Sequence, residues 1–199
     1  MEKTKSIEKI EMEILKCERC DLYKTRTNSV AGEGSVNSKI MFIGEAPGFN
    51  EDLQGKPFVG KAGKILDELL DLIALKRDEI YITNIVKCRP PENRNPKEEE
   101  INACAPYLDE QIKIINPKII CCLGNFSTEY ILKKFNLKNK IQGISKIHGE
   151  IFEITTLDGK IRIIPLYHPA VAIYNPNMKE ILKKDFNILR KLIENEKDN

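Results

Sequence analysis

Six cysteines, two histidines and a set of polar residues at predicted strand ends hold the chemical potential of this sequence. Cys17 and Cys20 form a C-x2-C, and Cys88 and Cys104 follow far downstream among polar neighbours such as Lys87, Arg89 and Asn102. Thiolates are soft ligands for zinc or iron-sulfur clusters, and four of them leave no open coordination position, so the set reads as a structural metal centre. The spacing is equally compatible with zinc and with a 4Fe-4S cluster. Cys121 and Cys122 differ, because they sit in the apolar run from Lys118 to Leu123, where cysteine serves as a small core hydrophobe. Chemistry on a substrate is expected from other residues.

Those residues follow apolar runs. Gly44-Glu45-Ala46-Pro47-Gly48 closes the run KIMFIG, Asn84 ends a second, Gly124-Asn125 follows a third and His168-Pro169 follows a fourth. A glycine corner, a carboxylate, an amide and an imidazole on one rim make a site for a polar, planar ligand. His148, between Ile147 and Gly149, has no such company and reads as structural.

The elements that must position these groups alternate. Helices are expected over Ile7 to Lys16, Ala62 to Leu75, Lys97 to Ile115, after Gly124, and over Met178 to Ile193, each from apolar spacing at helical period. Glu98, Glu99 and Glu100 suit the first turn of the third, where the helix dipole favours anions. Strands are expected over Lys39 to Gly44, Glu79 to Val86 and Lys118 to Leu123, with a hairpin from Ile151 to Ile164 turning at Asp158-Gly159 and running on into His168. Pro90, Pro91 and Pro96 force a loop between the second strand and the third helix. Such alternation predicts an α/β fold, a three-layer α/β/α sandwich around a mainly parallel four-stranded sheet, with ligands bound beyond the carboxyl ends of the strands.

With 199 residues, 41% hydrophobic and 31% charged, the chain suits one domain over residues 1–199 with ample core. No signal peptide or membrane span is expected, which points to an intracellular, cytoplasmic or nucleoid-associated protein with no membrane partner. Cysteines in a reducing compartment serve metals or remain free thiols more often than they form disulfides. A net charge of +2 means that any nucleic-acid partner must be met by a local basic face. Lys61, Lys64, Lys87, Arg89 and Arg94 cluster around the motif loops and are the candidates for it.

Taken together, Cys17-x2-Cys20-x-Leu22, Val30-x-Gly32-Glu33-Gly34, Ile43-Gly44-Glu45-Ala46-Pro47-Gly48, Glu51-Asp52, Gly55-x-Pro57-Phe58-Val59-Gly60-x-Ala62-Gly63, Thr83-Asn84-x-Val86-Lys87-Cys88-Arg89-Pro90-Pro91, Asn93-Arg94-x-Pro96 and Tyr167-His168-Pro169-Ala170 resemble the family 4 uracil-DNA glycosylases, the iron-sulfur type. The likeness spans nearly the whole chain. It implies hydrolysis of the bond between uracil and deoxyribose in single- or double-stranded DNA, leaving an abasic site for base-excision repair, by a protein acting as a monomer. It also implies that Cys17, Cys20, Cys88 and Cys104 hold a structural 4Fe-4S cluster, with zinc the lesser alternative.

By the same resemblance, Phe58 stacks on the flipped base, Asn84 reads its edge and Glu51 lies near C5. His168 donates to uracil O2, Glu45 positions or activates water, and Gly44, Ala46, Pro47 and Gly48 line the anion and phosphodiester side. Two positions depart from relatives. Ala46 stands where family 1 enzymes carry an aspartate, leaving the water to Glu45, to Glu51 or to a largely dissociative path. Tyr174 stands where an arginine is common. The stretch from Cys88 to Cys104 lacks the basic insertion of relatives that attach covalently to uracil-containing DNA, which favours hydrolysis. Two other readings are a metal-stabilised module that binds nucleic acid or nucleotides without cleaving them, and an electron-transfer protein. The first gives no shared reason for Glu45, Asn84 and His168 to sit on one rim, and the second explains only the cysteines.

Overall fold

Side chains that alternate along the central strands sort into two apolar layers, one on each face of a single sheet. The computed structural model describes residues 2–157 and 159–197; Asp158, at the tip of the expected hairpin, lies outside the described residues. In chain order the elements are α1 (Glu2–Leu15), β1 (Glu33–Gly34), β2 (Ile40–Gly44), α2 (Phe49–Gln54), α3 (Lys61–Leu72), β3 (Tyr81–Asn84), α4 (Glu98–Ile115), β4 (Ile119–Leu123), α5 (Asn125–Lys134), α6 (Ile144–Ile147), β5 (Phe152–Thr156), β6 (Gly159–Leu166), α7 (Val171–Tyr174) and α8 (Met178–Lys197). The sheet order is β1-β3-β2-β4-β6-β5, with β3, β2, β4 and β6 parallel and the two outer strands antiparallel.

Met41, Ile43, Ile120 and Cys122 face one way and meet Ile7, Ile10 and Ile14 of α1 with Leu108, Ile112 and Ile115 of α4. Ile40, Phe42, Ile119 and Cys121 face the other way and meet Leu66, Leu69 and Leu70 of α3 with Leu182, Phe186 and Leu189 of α8. Burying each such side chain contributes about 1.5–3 kcal/mol, so the two layers hold the helices firmly on the sheet. Cys121 and Cys122 are fully buried on opposite faces of β4, as expected of core residues.

The three-layer architecture is as expected, but the sheet has six strands and not four. The additional ones are short or solvent-facing edges. β1 is a two-residue segment carrying Gly34, too brief to leave a periodic signal, and β5 is the first arm of the hairpin added antiparallel to β6. The chain runs from β2 outward to β3, then back past β2 to β4, so the switch in winding direction lies at the carboxyl end of β2. Such a switch opens a crevice in α/β sheets.

Candidate functional site

The crevice at the switch point is a cleft of about 460 Å³ lined by Glu45, Ala46, Pro47, Gly48, Glu51, Phe58, Asn84 and His168. Gly44 and Asn84 are paired across β2 and β3, which sets the glycine corner directly beside the amide. A Cβ on Gly44 would stand 2.3 Å from Asn84 Oδ1 and 2.8 Å from Phe58 Cζ, so only glycine leaves both groups room. The corner is itself pinned, because Ile85 N–H donates to the Gly44 carbonyl and Val86 N–H to that of Glu45, each at 3.0 Å.

Phe58 reaches the cleft from the loop between α2 and α3 with φ of 51°, a conformation that non-glycine residues adopt only at a cost. Its ring is 5% exposed and lies 5.6 Å from that of His168, tilted by 32°. Gly63 makes this approach possible, since a Cβ there would collide with the Phe58 carbonyl. Glu51 turns out to brace the same loop: its Oε1 accepts from Val59 N–H at 2.9 Å and from Gly60 N–H at 2.7 Å, at the start of α3. Its neighbour Asp52 is buried and accepts from Thr27 N–H, tying down the preceding segment.

His168 follows β6 with its ring part-open to the cleft and otherwise enclosed by protein. Burial depresses its pKa to about 4, against an opposing pull from the Glu51 carboxylate, so the imidazole is neutral at pH 7. Ala170 N–H donates to Nδ1 at 3.2 Å, which leaves the ring proton on Nε2 as a hydrogen-bond donor. Glu45 is half-buried, and desolvation raises its carboxyl pKa above the ordinary value, a shift suited to accepting a proton. Ala46 lines the cleft and offers no titratable group there.

Cys17, Cys20, Cys88 and Cys104 gather away from this cleft, beside α1 and α4. Packing of α1 on α4 brings Cys17 and Cys20 to Cys88 and Cys104, and all four line one small cavity of about 10 Å³ together with Ile14, Val86 and Tyr107. Among the described residues no three His, Cys, Asp or Glu side chains meet closely enough to hold a metal ion. Arg26 Nη1 donates to Cys88 Sγ and Lys87 N–H to Cys104 Sγ, both at 3.1 Å, the kind of donor that stabilises a metal-bound thiolate. Burial pushes the Cys104 thiol up to about 12 and raises those of Cys88 and Cys20, so a bound cation is what would ionise them.

Of the expected basic rim, Lys61 lines the cleft and Lys64 is exposed on the same helix. Arg94 also lines it, held by a two-pronged pair with Glu100 at 2.9 and 2.6 Å. Arg89 donates to Asn93 Oδ1 at 2.7 Å and covers the exposed ring of Phe49 at 5.0 Å. Lys87 does not belong to the rim. It is 1% exposed and donates to Thr83 Oγ1, the Asn84 carbonyl and Gln111 Oε1 at 2.6 to 2.8 Å, so it cannot meet a phosphate. Instead it ties the carboxyl end of β3 to α4.

Two arrangements had no sequence signal. Arg77, inside the charged run Lys76-Arg77-Asp78-Glu79, grips the Phe58 loop from behind. His148, structural as expected, pairs through Nδ1 with buried Asp185 at 2.9 Å and lays its ring 4.7 Å from Tyr167, next to His168. No helix among the described residues is long and apolar enough to cross a membrane.

Comparison with known proteins matches residues 31–191 to the model of the uracil DNA glycosylase superfamily. The chain is 50% identical over 188 residues to a type-4 uracil-DNA glycosylase of Sulfurisphaera tokodaii, covering 94% of this chain and 84% of that one. It is 44% identical to the type-4 uracil-DNA glycosylase of Archaeoglobus fulgidus, covering 94% and 93%, and 40% identical to that of Thermotoga maritima, covering 92% of each. Identity of this order across nearly the full length of both chains places the protein in the uracil DNA glycosylase superfamily and, within it, among the type-4 uracil-DNA glycosylases.

Proposed function

We propose that the whole chain, residues 1–199, is one glycosylase domain that hydrolyses the N-glycosidic bond of deoxyuridine in DNA, releasing uracil and leaving an abasic site for base-excision repair. The observation that carries this reading is the meeting of the Asn84 amide, the Phe58 ring and the neutral His168 in one cleft at the sheet's switch point. Chemistry on a base requires the nucleotide to leave the stack, and a narrow pocket with one aromatic wall receives a planar ring. The Asn84 amide donates to uracil O4 and accepts from N3–H. Cytosine presents the opposite pattern, so each mispaired group costs about 1–3 kcal/mol. Glu51 acts on this pocket through the loop amides it holds more than by filling space beside C5.

Breaking the C1′–N1 bond sends its electron pair onto uracil, whose O2 takes on negative charge, while the sugar becomes electron-poor. His168 Nε2–H supplies a donor to O2 without itself having to gain a proton, and oriented donors aimed at developing charge give the largest catalytic contribution. Glu45 receives the proton of the water whose oxygen bonds C1′. Gly44, Ala46, Pro47 and Gly48 form the wall nearest this event.

The four cysteines line one cavity, and Arg26 and the Lys87 amide donate to two of their sulfurs, which suits bound thiolates; the resemblance to the iron-sulfur type makes a 4Fe-4S cluster the assignment ahead of zinc. When bound, the cluster would join the N-terminal segment to the loop that leaves β3. The partner is uracil-containing DNA, single- or double-stranded, met by one copy of the chain inside the cell. Incubation of iron-loaded protein with a uracil-containing oligonucleotide should give alkali-labile breaks that a thymine control lacks. Intact uracil strands after incubation with folded, loaded protein would overturn the reading.

A further inference from the structure

Phe58 holds a left-handed backbone and a buried ring at once, a strained state that persists only where surrounding structure fixes it. The loop is short, and its other anchor, Glu51, acts only after Phe58, on the amides of Val59 and Gly60. Ahead of that point Lys56 pairs with Glu33 at 3.1 Å, and the carbonyls of Pro57 and Phe58 are held by Arg77. Arg77, from the 3-10 turn at Arg77–Glu79 that leads into β3, donates through Nη2 to the Phe58 carbonyl and through Nη1 to that of Pro57 at 3.2 Å. Its Nε donates to Asp67 Oδ1 of α3 at 2.6 Å, and Glu33 of β1 lies 3.9 Å from Nη1.

The planar guanidinium therefore bridges two consecutive carbonyls, which lysine cannot reproduce because it lacks the rigid fork. The surrounding glycines make sense in this light. Gly34 has φ of 123° and no space for a Cβ against the Ile80 carbonyl, an arrangement that brings Glu33 to Arg77 and to Lys56. Gly63 lets the Phe58 carbonyl sit against α3 where Arg77 can reach it. The Gly32-Glu33-Gly34 segment, remote from the cleft lining, thereby acquires a task.

We infer that Arg77, oriented by Asp67 and Glu33, is a positioning residue for the uracil-stacking wall: it holds the Phe58 ring in place beside His168 and Asn84 at the cleft. Arg77 does not line the cleft, so it touches neither base nor DNA there. The inference rests on the proposed glycosylase activity and goes beyond it by assigning the placement of the aromatic wall to a residue behind it.

A double-mutant cycle tests it, since residues acting through one another are non-additive. Arg77→Met should lower the single-turnover rate of uracil release at saturating oligonucleotide by about tenfold, with half-saturation moving less than about twofold, because misplacement of a reacting partner acts on the rate. The inhibition constant of free uracil should rise by a similar factor, since the product stacks on the same ring. In a Phe58→Ala background the same substitution should change the rate by less than about twofold. Full multiplicative loss in that background, or an unchanged rate and uracil inhibition in Arg77→Met alone, would overturn the assignment. Should Arg77→Met lose its cooperative melt, Arg77→Lys is read in the same cycle, where it keeps the cation beside Asp67 and Glu33 but cannot span both carbonyls. Uracil release by the unsubstituted protein is measured first. Its absence overturns the glycosylase reading and this inference together, whereas its presence with an additive cycle overturns the Arg77 assignment alone.

Discussion

Gly44 and Asn84 stand side by side on adjacent parallel strands, so close that the asparagine amide occupies the space a Cβ on residue 44 would need. The backbone of β2 is in effect one wall of the cleft. Gly44→Ala should therefore push the amide or the Phe58 ring out of position and reduce uracil release by about a hundredfold, the scale on which small misplacements act. Single-turnover rates, read beside melting curves to confirm a folded protein, check this; a rate within a few fold of wild type would show that the wall yields.

Neutral His168 and the raised pKa of Glu45 give the activity a defined pH dependence. As pH falls, Glu45 takes up a proton at a pH above the ordinary carboxylate value, while His168 stays neutral to about 4, so the acid limb should follow Glu45. Glu45→Gln should flatten that limb, and His168→Ala should cost about a hundredfold or more at every pH where the histidine is neutral. The same depression of His168 links folding to pH. The unfolded chain binds that proton near 6.5 and the folded chain only near 4, so the stability contributed is complete above 6.5 and is lost as pH falls between the two values. The loss amounts to at most about 3 kcal/mol, and His168→Gln should remove that part of the acid slope in denaturant titrations.

Much of this site could be located from residue order, because strand-end positions are marked by apolar runs followed by glycine, asparagine or histidine. The backbone state of Phe58 could not, since a left-handed aromatic has no local signature and depends on Arg77, Gly63 and Glu51 from other elements. Lys87 was misplaced for a related reason. Between Val86 and Cys88 and next to Arg89 it resembles a surface cation, and only tertiary packing reveals Thr83 and Gln111 as its acceptors. β1 left no signal because two residues cannot display a period.

Cys104→Ser should prevent stable iron loading, read as loss of the brown absorbance, and should lower the melting temperature by at least about 5 °C, since metal binding adds to folding free energy. Arg26→Met should leave iron loading possible but speed its loss to a chelator, because the Cys88 sulfur loses its donor. Equal retention of iron in Cys104→Ser and wild-type protein would remove that residue from the ligand set.

DNA binding should weaken linearly in log-log plots against salt, and Lys61→Ala should reduce the slope by about one unit if its ammonium meets a phosphate. Lys87→Met should leave the slope unchanged, because its ammonium is enclosed by Thr83, Asn84 and Gln111. Fluorescence anisotropy with an uncleavable oligonucleotide over a range of salt distinguishes the two. A reduced slope for Lys87→Met would mean that β3 opens on binding.

The four candidate ligand cysteines, Cys17, Cys20, Cys88 and Cys104, lie within the first 104 residues, whereas His168 follows the strand that completes the parallel sheet. A chain emerging from the ribosome N-terminus first thus presents these four thiols while the His168 imidazole is still to be made. If these thiols hold the proposed cluster, the order of the gene separates metal capture from completion of the cleft in time.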